Sequence, residues 1–460
     1  MIKSSSHNPL DGLTIIEIPK QNMKKNILEN STPVRPLKWM ITLLGVTLIL
    51  LYAPFVSAKL MIDVDNPNLM KMPIAIADFV SESSGAVNGK DLAAMVKNDL
   101  YMTGIFQIVE CSLSSAMTPG LEPNFDYLTQ LGVQAFISGN YQVQGDQLTI
   151  EARLYDVGLR KLEMGKRFTA KLNDHRRMIH LFNDRVLEKL TGIPGSFSGK
   201  IAFAGDSQSR EIYSMDYDGH NLQQLTRNGT INVSPDWAPD GNSLIFTSYM
   251  NRNPGLWWLE LPSTQYRPVS TRPGLNASGR FSPDGNFIAL SISIKSIPKI
   301  FIINTRGDVL KQLTNGRGND ISPTWSPDAS TIAYVSDQAG APQIYLIPVN
   351  GGESRRLTFV SNYNTDPDWS PRGEQIAFTA RIDGRFQICA IKVDGSDFRV
   401  LTTQGSNQEP AWSPDGRLIT FTSNRDGGKR VYVMDAKGAI QVPVSPVLGK
   451  NPAWSRNNAR

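Results

Sequence analysis

Apolar positions in the second half of the chain gather in short β-prone triplets that start at Ile201, Leu244, Ile288, Ile332, Ile376 and Ile419. Runs this short, bounded by Gly, Asp, Asn and Pro, predict strands joined by tight turns. Two further markers keep the same phase. Leu-Thr or Val-Ser pairs start at Leu225, Val269, Leu313, Leu357, Leu401 and Val444, and an aromatic-Ser-Pro-Asp-Gly motif begins at Trp237, Phe281, Trp325, Trp369, Trp412 and, decayed, at Trp454. The aromatic positions lie 44, 44, 44, 43 and 42 residues apart. Each unit reads as four strands: the aromatic-Ser-Pro end, the triplet after an Asp-Gly turn, a third run such as Gln343–Ile347, and a fourth carrying the Leu-Thr pair. Four short strands per 40–45 residues are the blade pattern of a β-propeller. Residues 198–460 hold six such units. The first unit starts at its second strand, and 451–455 is a first strand with nothing after it. Joining those two ends completes one blade and hides its edges.

Residues 59–195 do not repeat. Pro73–Phe79 reads as a buried strand, and Leu92, Met95, Val96 and Leu100 have helical spacing. Val133–Tyr141, Gln147–Val157 and Lys161–Leu172 read as a strand meander turning at Gln144-Gly145-Asp146. Asn173 or Asp174 caps a helix with Phe182, Val186 and Leu190 on one face. The expected fold is an α+β N-terminal domain over 59–195 followed by an all-β six-bladed β-propeller over 196–460, with 191–195 as linker. Within 59–64, Leu60, Ile62 and Val64 share one face of a strand. Alternation alone leaves two uses for it: a permanent edge strand of the first domain, or a strand that adds to another protein's sheet.

Trp39–Ala53 carries no charge, follows Arg35 and Lys38, and leads into Pro54 and Val56-Ser57-Ala58. That is the order of a secretory signal with cleavage after Ala58, so the mature chain would begin at Lys59. An uncleaved anchor is the alternative, since 39–58 is just long enough to span; Pro54 and Ser57 favour cleavage. Met23-Lys24-Lys25 looks like a more ordinary start, and translation is expected to begin there. Residues 1–58 are expected to contribute nothing to the fold.

Composition alters this picture little. The 460-residue chain is 40% apolar and 19% charged, enough for large cores, and its mean hydropathy of −0.25 excludes a polytopic membrane protein. Its net charge of +5 is partly local: residues 1–58 hold six Lys/Arg against three Asp/Glu. No Lys/Arg run longer than two follows Ala58, so nucleic acid is not an expected partner. Two cysteines, Cys111 and Cys389, exclude a disulfide scaffold and thiolate-rich zinc, and read as small buried hydrophobes.

Candidate chemistry is sparse. Of four histidines, His7 precedes the signal, His175 and His180 read as helix-surface residues, and His220 as solvated after a hairpin Asp-Gly. A serine hydrolase needs a base beside its nucleophile, and no G-x-S-x-G elbow is present. The Asp-Gly pairs are explained by their turns and the tryptophans by blade packing. One pattern is less easily absorbed. Asn232, Asn276, Asp320, Asn364 and Asn407 precede the repeat aromatic by five positions, where the chain enters the innermost strand at one mouth of the channel. Either Asn suits the turn there, or the five form a polar ring able to grip a peptide.

Taken together, the signal segment, small α+β domain, L-T-G-I-P-G linker from Leu190 and six W-S-P-D-G blades resemble the TolB family of the Tol–Pal system. The resemblance implies a non-enzymatic, monomeric periplasmic adaptor without cofactor or metal. It would link inner-membrane TolA to the outer-membrane lipoprotein Pal, with other outer-membrane proteins as further partners, supporting outer-membrane integrity and constriction at division. It assigns Lys59, Leu60, Met61, Ile62, Asp63 and Val64 to TolA, and the loops of Asn232, Asn276, Asp320, Asn364 and Asn407 to Pal, with Pal binding favouring a sequestered N-terminus. Two departures stand out: Leu275 lies near a position where the family tends to carry a histidine, and Lys59 replaces an acidic first residue. A propeller hydrolase without its catalytic domain, or a carbohydrate-binding scaffold, are the alternatives.

Overall fold

The computed structural model describes residues 12–18, 61–62, 70–82, 87–117 and 122–456. The N-terminal unit is a mixed sheet. Its strands are β1 (Thr14–Glu17), β2 (Met72–Ile76), β3 (Val80–Ser81), β4 (Phe106–Val109), β5 (Ala135–Gln144), β6 (Gln147–Asp156) and β7 (Lys161–Lys171). They are ordered β1-β7-β6-β5-β2-β4, with β3 beside β5. β5, β6 and β7 form the expected antiparallel meander, and β2 runs parallel to both β4 and β5.

Alternation along β2 sorts the two faces of this sheet. Ile74 and Ile76 join a core with Leu92, Val96 and Leu100 of α1 (Gly89–Met102) and Phe182, Val186 and Leu190 of α4 (His175–Thr191). Ala75 and Ala77 face the other way, against α2 (Leu113–Ala116) and α3 (Phe125–Gln130). Asn88 caps α1 by accepting from the Lys90 amide, and Gly192 ends α4 with φ 80°, a left-handed conformation that glycine adopts without strain. No helix among the described residues is long and apolar enough to cross a membrane.

One expectation fails here. Thr14–Glu17 lies in the leading segment that was to contribute nothing, yet it pairs antiparallel with β7 as the outermost strand. Its alternating Leu13, Ile15 pattern supplies the reason: both side chains pack against the first-domain core.

Six four-stranded sheets follow, the six-bladed propeller expected. Five blades are continuous, and their innermost strands are Asn232–Trp237, Asn276–Phe281, Asp320–Trp325, Asn364–Trp369 and Asn407–Trp412. The sixth is made from both ends of the propeller, with Gly449–Trp454 antiparallel to Lys200–Gly205 and Trp454 opposite Ile201. The core lies between blades. Ile245 and Leu256 of the first continuous blade pack with Phe281 and Ile288 of the second, and Ile300 of the second with Trp325 and Ile332 of the third. The Asp-Gly turns need positive φ, which Gly241 (69°), Gly285 (76°) and Gly416 (67°) supply; Ala329 takes the same conformation at 57°.

In every blade the turns after the first and third strands share one face, while the turn after the second and the blade-to-blade loops share the other. The N-terminal unit docks on the first of these faces. Arg417, just after the Asp415-Gly416 turn, reaches Thr191 Oγ1 at the end of α4. The five loops bearing Asn232, Asn276, Asp320, Asn364 and Asn407 therefore open on the opposite face.

Candidate interaction sites on the propeller and at its junction

Each repeated marker in the propeller has a structural use. The hydroxyl of the Leu-Thr or Val-Ser pair accepts from a third-strand amide: Thr226 from Ile212 (2.7 Å), Thr314 from Ile300 (2.9 Å), Thr358 from Ile344 (3.0 Å), Thr402 from Ile388 (2.9 Å) and Ser445 from Val431 (2.9 Å). In two blades the hydroxyl also donates to a glutamine, Thr358 to Gln343 and Thr402 to Gln387, both at 2.8 Å. The same glutamine oxygens accept from Asn364 and Asn407 at 2.8 Å.

The five mouth residues are thus buried pins. Asn232, Asn276, Asn364 and Asn407 have no exposed surface and Asp320 only 2%. Asn232 donates to Asn228 at 2.8 Å, and Asn276 to the Arg272 carbonyl at 2.7 Å. Their side-chain amide groups fix the rim loops, and only the Asn364 Oδ1 is buried without a partner among the described residues, so a guest at this opening would meet the loops and not these five side chains. Asp320 is the one acid of the set because its partner is Lys299, whose Nζ lies 2.9 Å away.

What the loops present outward differs round the ring. Phe359 is 71% exposed, with Val360 and Tyr363 also exposed beside it, and the Arg356 guanidinium lies 4.5 Å over the Phe359 ring. Asn319 is held by Asp337. Inside the channel, the third residue of each innermost strand has positive φ (Ser234, Ser278, Ser322, Asp366, Glu409 and Asn451), and the register of each strand slips there. No spacing rule reveals this, since most of these residues are poor candidates for positive φ.

The slip turns polar side chains into the channel. Burial raises the carboxyls of Asp236, Asp366 and Glu409, and takes Asp368 up to about 6 despite the pull of Arg280. Arg280 contacts Asp236 at 3.3 Å. A cavity of about 340 Å³ opens toward the N-terminal unit, lined by Asp236, Asp368, Arg280 and several repeat tryptophans; Arg456, another lining residue, donates to the Pro283 carbonyl.

At the junction between the two units, sequence reasoning misjudged one residue. His180 is not on a helix surface: it is buried, with Nδ1 2.8 Å from Asp99 and Nε2 3.3 Å from Asp218 of the propeller. Asn183 and Tyr217 also donate to Asp99, and Arg176 pairs with Asp218. Burial alone would lower the His180 pKa, but Asp99 and Asp218 hold it up at about 10. The signal lay in the propeller sequence, where Tyr217-Asp218 precede a turn glycine on the docking face. His220 is exposed as expected. Cys389 is buried, and burial takes its thiol up to about 12; Cys111 is half-buried.

Of the N-terminal strand, Lys59, Leu60, Asp63 and Val64 lie outside the described residues, as does the cleavage site at Ala58. Ile62 is buried, and its amide donates to the Leu190 carbonyl at 2.7 Å; Met61 is 48% exposed. Leu190 precedes Thr191, which Arg417 of the propeller grips.

Two family models match the chain: the TolB beta propeller domain over residues 187–458 and the TolB amino-terminal domain over 60–162. A Tol-Pal system protein TolB of Geobacter sulfurreducens is 39% identical over 163 residues, covering 35% of this chain and 38% of that one. The corresponding protein of Roseobacter denitrificans is 33% identical over 228 residues, covering 47% and 51%. The chain thus spans about half or less of the length of these curated relatives. A crystal structure of TolB from Acinetobacter baumannii has the same fold, with a TM-score of 0.73 at 23% identity over 84% of this chain and 97% of that one. With the propeller model matching more than half of its residues, in the same domain order, the chain belongs to the TolB family.

Proposed function

We propose that this chain is a periplasmic, non-enzymatic component of the Tol–Pal system that carries two protein-binding sites. The propeller face opposite the N-terminal unit takes Pal, and the strand Lys59–Val64 takes TolA, so the protein links the outer membrane to the inner one and supports envelope integrity and constriction. The observation that carries this reading is the division of the propeller into two faces: one covered by the N-terminal unit, the other uncovered by any described residue and bordered by loops that buried pins hold in place. Fixed loops favour binding because little freedom is lost when a partner seats on them.

Names of relatives support the system, each being a Tol-Pal system protein TolB. The Ile62 contact supports the second site. Ile62, whose amide donates to the Leu190 carbonyl at the end of α4, itself gripped by Arg417 at Thr191, links this segment to the propeller. Deleting Lys59–Val64 is expected to abolish capture of TolA in a pull-down while Pal capture persists. TolA retained by the deleted chain would overturn the assignment of that strand.

A further inference from the structure

We propose that the outer edge of β7 is a strand-accepting surface, filled in the precursor by the chain's own leader and open in the exported protein to a partner's extended strand. The proposal rests on the exported reading above and on translation from Met1, ahead of Met23.

Thr14–Glu17 shows what the edge takes. Thr14 lies opposite Thr169, Ile15 opposite Phe168, Ile16 opposite Arg167 and Glu17 opposite Lys166, and the Ile18 amide donates to the Gly165 carbonyl at 3.0 Å. Leu13 and Ile15, partly buried, pack against the core, while Ile16 is 48% exposed. Lys166 Nζ meets Glu17 at 2.9 Å, which with its charge holds the Glu17 carboxyl below its usual range. Gly165 admits the incoming strand closely, since a Cβ there would stand 2.9 Å from the Ile18 Cβ.

This strand precedes the apolar segment 39–53 and Ala58. Export with cleavage after Ala58 removes it and leaves β7, eleven residues long, as an edge with no other strand beside it among the described residues. A bare edge pairs with whatever strand fits it. A second copy fits badly, because antiparallel β7 pairing centred on Lys166 would set Lys166 against itself and Lys161 against Lys171. Lys166, unlike Arg167 and Lys161, which already meet Glu151 and Glu163, calls for a carboxylate on the partner strand, with apolar side chains in the places of Leu13 and Ile15.

The test uses the full chain in detergent and, as probe, a fluorescent nonapeptide with the sequence of residues 12–20. The wild-type chain, its edge filled, should take up little peptide. A chain with Ile15→Asp, which empties the edge, should bind it saturably, with new amide-exchange protection confined to β7. A chain lacking residues 12–18 serves the same purpose if Ile15→Asp impairs folding. Peptide carrying Glu17→Lys should bind several-fold more weakly, and Lys166→Glu in the emptied chain should restore it. No uptake by either emptied chain, equal uptake by the wild type, or no compensation between the charge reversals would overturn the proposal. TolA and Pal are absent from the assay, so its failure is separable from failure of the adaptor reading.

Discussion

Lys299 and Asp320 show how a repeat keeps its geometry while changing its chemistry. Two other blades join a Gln on the third strand to an Asn at the head of the next innermost strand; here a buried cation meets a buried carboxylate, 4% and 2% exposed. Removing one charge strands the other away from water, which costs about 3–5 kcal/mol. Lys299→Gln alone is therefore expected to lower the melting temperature of the protein, and adding Asp320→Asn to recover most of the loss by recreating the Gln343–Asn364 arrangement. If the double variant is no more stable than the single one, the pair is not a variant of the common pin. The five pin positions were legible from their spacing, but their burial was not. A polar residue at a fixed repeat position looks the same in sequence whether it faces a guest or a neighbouring backbone. Only the Thr and Gln partners in the same blade tell the two apart.

α4 shows what sequence periodicity gives and withholds. Its apolar face was legible in Phe182, Val186 and Leu190, but a polar residue on a helix is read as exposed until something covers it, and the cover here comes from Tyr217-Asp218, some forty residues on. β1 was missed for a related reason: a short alternating run has no meaning without knowledge of the free edge beside it. Ring closure, by contrast, followed from repeat phase alone, because a missing first strand and a surplus one can only be each other's partner. The His180 cluster makes the helix–propeller contact pH-dependent. The folded pKa of about 10 lies above the unfolded value near 6.5. The stabilisation is complete below the unfolded value and is lost as pH rises through about 10. Thermal unfolding measured from pH 6 to 10 should show this decline in the wild type and a flatter profile in His180→Gln, which is also less stable at pH 6 by about 3–5 kcal/mol. Parallel profiles would place the pH dependence elsewhere.

Across the whole molecule, the first-domain core runs without a break into the propeller: Phe197, Ile201, Tyr217, Leu418 and Trp454 belong to the same cluster as Leu100 and Phe182. The two units share apolar packing, the His180 cluster and the Arg417–Thr191 contact, and Ile62 is tied to this junction. On the proposed reading, a guest on the face opposite the N-terminal unit that shifts blade positions would be felt at Ile62 through this junction. Coupling of about 1–3 kcal/mol, or roughly 5–150-fold in affinity, is the usual range for two linked sites. The central claim is that the two sites communicate, and it is tested most directly by measuring TolA affinity for this protein with and without saturating Pal. The account predicts that Pal weakens TolA binding by about fivefold or more, and that deleting Lys59–Val64 removes TolA binding in both conditions. TolA affinity unchanged by Pal would contradict it.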